Sequence, residues 1–137
     1  TAEYIFMRKP CKGDTMHIHT HPAEPGCLLM AMPTVEDLKT ACQNFENHGI
    51  RTSVITRVET MGKEIGRTFI KMRKTEGEEF EYLLQKYGKC EKEEKLREAL
   101  EILETMQQRR FLSIRFVPMP GYRFDRKIGD FVPIEKR

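Results

Sequence analysis

Apolar positions along the chain recur in two periods, and the change of period marks the elements. From residue 34 onward, Val35, Leu38, Ala41, Cys42 and Phe45 fall three and four apart, and Asn47-His48-Gly49 supplies a stop, which predicts one amphipathic helix starting at Thr34. Phe80, Leu83, Leu84 and Tyr87 mark a second helix, interrupted at Gly88, and Leu96, Ala99, Leu100 and Leu103 mark a third, rich in Glu and Lys. Alternation and β-branched runs predict strands over residues 2–9 and 15–21, joined through a turn at 10–14 into a hairpin, and again over 50–56, 67–73 and 111–117. Pro22, Pro25 and Pro33 make residues 23–33 read as a loop, and 59–66 read as a connection. Pro118, Pro120 and Gly121 end the last strand and leave 118–137 as an irregular C-terminal extension. The pattern is α/β (α+β), with a mixed or antiparallel central sheet flanked by helices.

Composition narrows this picture. A length of 137 residues fits a single domain, and 39% apolar with 33% charged residues is the balance of a soluble globular chain. The formal charge of +3 is too small to imply a nucleic-acid partner by itself. The longest apolar stretch, residues 26–32, is far short of the roughly 20 residues needed to cross a bilayer, and no signal-peptide pattern is present, so a cytoplasmic location is expected. Cys11, Cys27, Cys42 and Cys90 are widely spaced without a C-x-x-C pair, which argues against a zinc ribbon or a disulfide scaffold and for free thiols. Arg109, Arg110, Arg115 and residues 123–127 give the C-terminal third a basic, aromatic-interleaved character; an ion-paired surface is favoured there over a phosphate-binding one.

The candidate chemistry lies in His17-Ile18-His19-Thr20-His21. Alternate residues of a strand share a face, so three imidazoles form a row of the preferred zinc-ligand type, and two of them need only a third ligand from elsewhere to leave one position for water. Asp37 is the nearest good candidate. The plainer readings stand beside this one: a half-exposed strand whose imidazoles only hydrogen-bond, and a capping box in which Thr34 and Asp37 start the helix. A cap and a ligand can coexist at a helix start. His17 reads as a residue behind or beside the ligands, and His48 as a helix C-terminal dipole contact.

The run His19-Thr20-His21-Pro22, followed after a loop by Pro33-Thr34-Val35-Glu36-Asp37, resembles the H-[ST]-H-P and P-S-x-x-D signature of the JAMM/MPN (JAB) metalloprotease family. The resemblance implies an MPN/JAB-like core lacking some of the usual N-terminal elements, with His19, His21 and Asp37 as zinc ligands and Thr34 in the place of the oxyanion-stabilising serine. It also implies a glutamate acting as general base. If the N-terminal hairpin turns around Lys12, residues whose numbers sum to about 24 face each other, which sets Glu3 opposite His21; Glu24 is the second candidate. The implied activity is zinc-dependent hydrolysis of an amide or isopeptide bond in a protein or peptide substrate. A catalytically inactive MPN-like interaction module is the alternative. The histidine run also resembles the start of PHP-type phosphoesterases, a minor alternative because that barrel needs roughly 200 residues or more.

Overall fold

The computed structural model describes residues 16–22, 31–59 and 61–135, the first of these segments as backbone alone. Strand β1 (Met16–Pro22) leads to helix α1 (Val35–His48) and strand β2 (Thr52–Val58), which lies parallel to β1. Strand β3 (Glu64–Met72) turns back antiparallel to β2, helices α2 (Glu78–Lys92) and α3 (Leu96–Gln108) follow, and β4 (Leu112–Pro118) returns antiparallel to β3. The four-stranded sheet has the order β1-β2-β3-β4, and β5 (Tyr122–Asp125) with β6 (Asp130–Pro133) forms a separate antiparallel hairpin. The fold is mixed α+β. The expected strand over residues 2–9 and its hairpin lie outside the described residues.

Helix α1 shows how local sequence sets an element. Thr34 and Asp37 close a reciprocal capping box at its start, and Gly49 ends it at φ 68°, a left-handed backbone that side-chain-bearing residues rarely adopt. Between these caps, Leu38, Ala41 and Cys42 are buried, with Val35 and Phe45 packed at the margin of the same cluster. The core they join runs from Ile55, Ile70, Met72 and Leu112 on the sheet to Phe80, Tyr87, Leu100, Leu103 and Met106 on α2 and α3. Each such large side chain contributes about 1.5–3 kcal/mol on burial, so this one cluster dominates the favourable side of folding.

Three features depart from the sequence-based expectation. Helix α2 runs straight through Gly88, where a Cβ would make ordinary contact with Val35 at 3.4 Å. Gly66 belongs to β3 rather than to a connection, since a Cβ at that position would lie 2.5 Å from the Phe131 ring, which occupies its place. The C-terminal segment is not irregular. Pro118, Pro120 and Gly121 turn the chain into the β5–β6 hairpin, where Phe124 stacks on Phe116 at 3.9 Å and meets Phe131 edge-on at 5.6 Å. Among the described residues no helix is long and apolar enough to cross a membrane.

Candidate functional site

The registers of the sheet place backbone positions in rows that run across all four strands. His17 aligns with Ser53, Ile70 and Ile114; His19 with Ile55, Thr68 and Phe116; His21 with Arg57, Gly66 and Pro118. Ile55 and Ile70 on these rows belong to the helix-covered core, so the alternate positions of β1 that carry the histidines are in line with the helix-covered face of β2 and β3. The row through His21 lies next to the end of the β1–β2 pair and has the buried Arg57 as its second member.

Asp37 lies on the first turn of α1, the helix that follows β1 in the chain. It is 3% exposed, unusual for a carboxylate on the opening turn of a helix. Its Oδ2 accepts a hydrogen bond from the Thr34 N–H at 2.8 Å, and its own N–H donates to Thr34 Oγ1 at 3.0 Å. The Thr34 hydroxyl therefore serves as the helix cap, the local role the sequence allowed alongside the oxyanion role. The α1 dipole further favours negative charge at this position.

The chain entering α1 is pinned from both sides. From α2, the Tyr87 hydroxyl donates to the Pro33 carbonyl at 2.6 Å, and Glu91 Oε1 accepts from the Val35 N–H at 2.7 Å. Burial holds the Tyr87 hydroxyl protonated well above the usual phenol range, with the negative charges of Glu91 and Asp37 adding to the effect. From the sheet, Thr68 Oγ1 donates to the Ala31 carbonyl at 2.6 Å, while the Ala31 N–H donates to the Gly129 carbonyl at 3.2 Å in the β5–β6 turn. Next to Gly129, Asp130 takes a bidentate bond from Arg57, Nε to Oδ1 at 3.0 Å and Nη2 to Oδ2 at 3.1 Å, with Arg57 only 3% exposed.

Of the residues singled out from sequence, Thr34 and Asp37 are brought together by the helix cap. His17, His19 and His21 are described as backbone positions of β1, and Glu3 and Glu24 lie outside the described residues. Among the described residues, no three His, Cys, Asp or Glu side chains form a metal-binding group. His48 is exposed in the last turn of α1. The free thiol of Cys42 lies in an open cleft of about 500 Å³ between α1 and α2, and burial pushes its pKa up from 9.0 to about 12, which makes it a poor nucleophile. Among the basic residues of the C-terminal third, Arg109 pairs with Glu79, Arg123 with Asp125 and Arg126 with Glu104, while Arg115 lies over the Phe69 ring.

Sequence reasoning missed Arg57, Asp130, Tyr87 and Glu91 as parts of this site. Arg57 carried only a weak signal: it falls in phase with Ile55 on β2, but Arg51 and Ser53 share that phase. Asp130 carried none, being 73 residues from its partner. No protein-family model, no curated protein and no solved structure matches this chain.

Proposed function

We propose that the protein is a zinc-dependent hydrolase of amide or isopeptide bonds, similar in its site to the JAMM/MPN metallopeptidases. The observation that carries the reading is Asp37: a carboxylate 3% exposed at the start of the helix that joins the His-x-His strand to its parallel neighbour. Two imidazoles at alternate positions of one strand and a carboxylate from the next helix are the donor set of a catalytic zinc site, so the chemistry of the residues fits the metal. His19, His21 and Asp37 would hold it. When bound, zinc supplies a Lewis acid that makes a water reactive near neutral pH.

The remaining work falls to the chain. Asp37 is oriented by the Thr34 N–H, the kind of outer hydrogen bond that fixes a ligating carboxylate. Glu3 is the carboxylate proposed to take the proton of the attacking water, and Glu24 is its second candidate. Thr34 stands where the family signature has its serine; its hydroxyl accepts the Asp37 N–H and retains a proton to donate toward a developing oxyanion.

A second reading is favoured by the cap itself. Since Thr34 and Asp37 make a complete capping box, the motif has a structural use that needs no reaction, as expected of an inactive MPN-like interaction module. Turnover of peptide and isopeptide substrates, with and without a chelator, separates the two. The hydrolase reading expects cleavage that His19→Ala abolishes together with the metal, whereas Glu3→Gln keeps the metal and loses cleavage. Metal-free His19→Ala protein with full activity contradicts it.

A further inference from the structure

A buried ion pair is a poor source of stability, since two charges must leave water and an apolar pair of similar volume often serves as well or better. Arg57 and Asp130 are both buried and joined by two hydrogen bonds, so the question is what their geometry secures. Arg57 is the register partner of His21, at the end of the parallel β1–β2 pair. Asp130 follows Gly129, whose carbonyl receives the Ala31 N–H, and Ala31 begins the described segment that runs through Pro33 and Thr34 to Asp37. His21 and Asp37 come from opposite sides of residues 23–30. The Asp130–Gly129 peptide thus links the strand end that carries one proposed ligand to the helix entry that carries another.

We infer that the Arg57–Asp130 pair is a positioning device for the candidate metal centre, through which the C-terminal hairpin fixes the spacing between the His21 and Asp37 segments. This rests on the zinc-hydrolase reading. Neither residue touches metal or substrate in the proposal. Arg57 holds the turn, the turn holds Ala31, and the Thr68 bond to the Ala31 carbonyl completes the tie to β3. The bidentate fork suits this role because it fixes angle as well as distance, which a lysine or an apolar contact does not. The hairpin is also seated by apolar contacts, Phe124 on Phe116 and Phe131 at Gly66, and by the exposed Arg126–Glu104 pair, but the apolar contacts tolerate small slides that a buried two-bond fork does not.

The test compares zinc affinity, by competition with a chelator, and melting temperature in wild type, Asp130→Asn, and the double variant Arg57→Met with Asp130→Leu. The double variant restores apolar packing and removes the unpaired charge. The inference expects it to melt near wild type yet bind zinc about tenfold or more weakly, the size of loss seen when supports of a ligand are removed. Wild-type zinc affinity in a folded double variant overturns it, because the pair is then only structural. Should the double variant melt early, Asp130→Asn decides at a temperature where it is fully folded: weaker zinc binding supports the inference and unchanged binding overturns it. A wild-type protein that takes up no zinc overturns the hydrolase reading and this inference together, whereas unchanged affinity in the variants overturns the inference alone.

Discussion

The two ends of the four-stranded sheet are held by different physics. Where β3 ends and β4 begins, Ile70, Met72 and Leu112 disappear under Phe80, Leu103, Met106 and Phe111, and dispersion with apolar burial does the work. Where β2 ends, the row through His21, Arg57 and Gly66 is fastened by Arg57–Asp130, and the neighbouring row by Thr68–Ala31, with Ala31–Gly129 joining the two fasteners. Apolar packing tolerates exchange of one side chain for another of equal volume; a bidentate ion pair or a buried hydroxyl bond tolerates almost none. The larger apolar cluster lies at one end, whereas the other joins a smaller one to buried polar fasteners, and that end is the one that holds the candidate site.

The comparison breaks first where a buried charge loses its carboxylate. Asp130→Ala leaves the Arg57 guanidinium buried without its carboxylate, and a loss of about 3–5 kcal/mol is expected in denaturant unfolding. At the apolar end, Ile70→Ala opens a cavity among Ile55, Met72 and Leu112 and costs about 2–5 kcal/mol by the same measurement. The two should differ in kind: recovery by an apolar double replacement is possible for the ion pair and not for the cavity. Tyr87→Phe removes only the hydroxyl bonded to Pro33 and leaves that buried carbonyl short of a partner, for about 1–3 kcal/mol. Near neutral pH the smallest effect is that of Cys42, which enters only as pH rises. Because Cys42 titrates near 9.0 when unfolded and near 12 when folded, the unfolded chain loses its proton first, so the contribution is intact below pH 9.0 and fades as pH rises toward 12. Unfolding midpoints should therefore fall above pH 9.0, and less steeply in Cys42→Ala.

How much of this was legible follows from distance along the chain. Helix α1 was readable because its signals are local: Thr34 and Asp37 are three residues apart, and Gly49 follows directly on the last turn. The β-hairpin at the C-terminus was missed because its strands are four residues each, bounded by prolines and held by Phe116, Gly66 and Arg57 from elsewhere. Gly66 and Gly88 were read as breaks for the same reason. A glycine marks either a turn or a close neighbour, and at Gly66 only the neighbour Phe131 decides which. In the candidate site, the histidine alternation and the Thr34–Asp37 pair stood in the sequence, whereas the supports from Tyr87, Glu91 and Asp130 depend on pairings that no local pattern encodes.

The central claim is that Asp37 is a metal ligand as well as a cap, and zinc content by elemental analysis of protein purified without chelator tests it most directly. Wild type, Asp37→Ala and Thr34→Ala are compared. Both variants break the capping box at a cost of about 0.5–2 kcal/mol, so a purely structural motif would treat them alike. The account predicts about one zinc per chain in wild type and in Thr34→Ala, and none in Asp37→Ala. Equal zinc in all three, or none in wild type even after zinc is supplied, would contradict it.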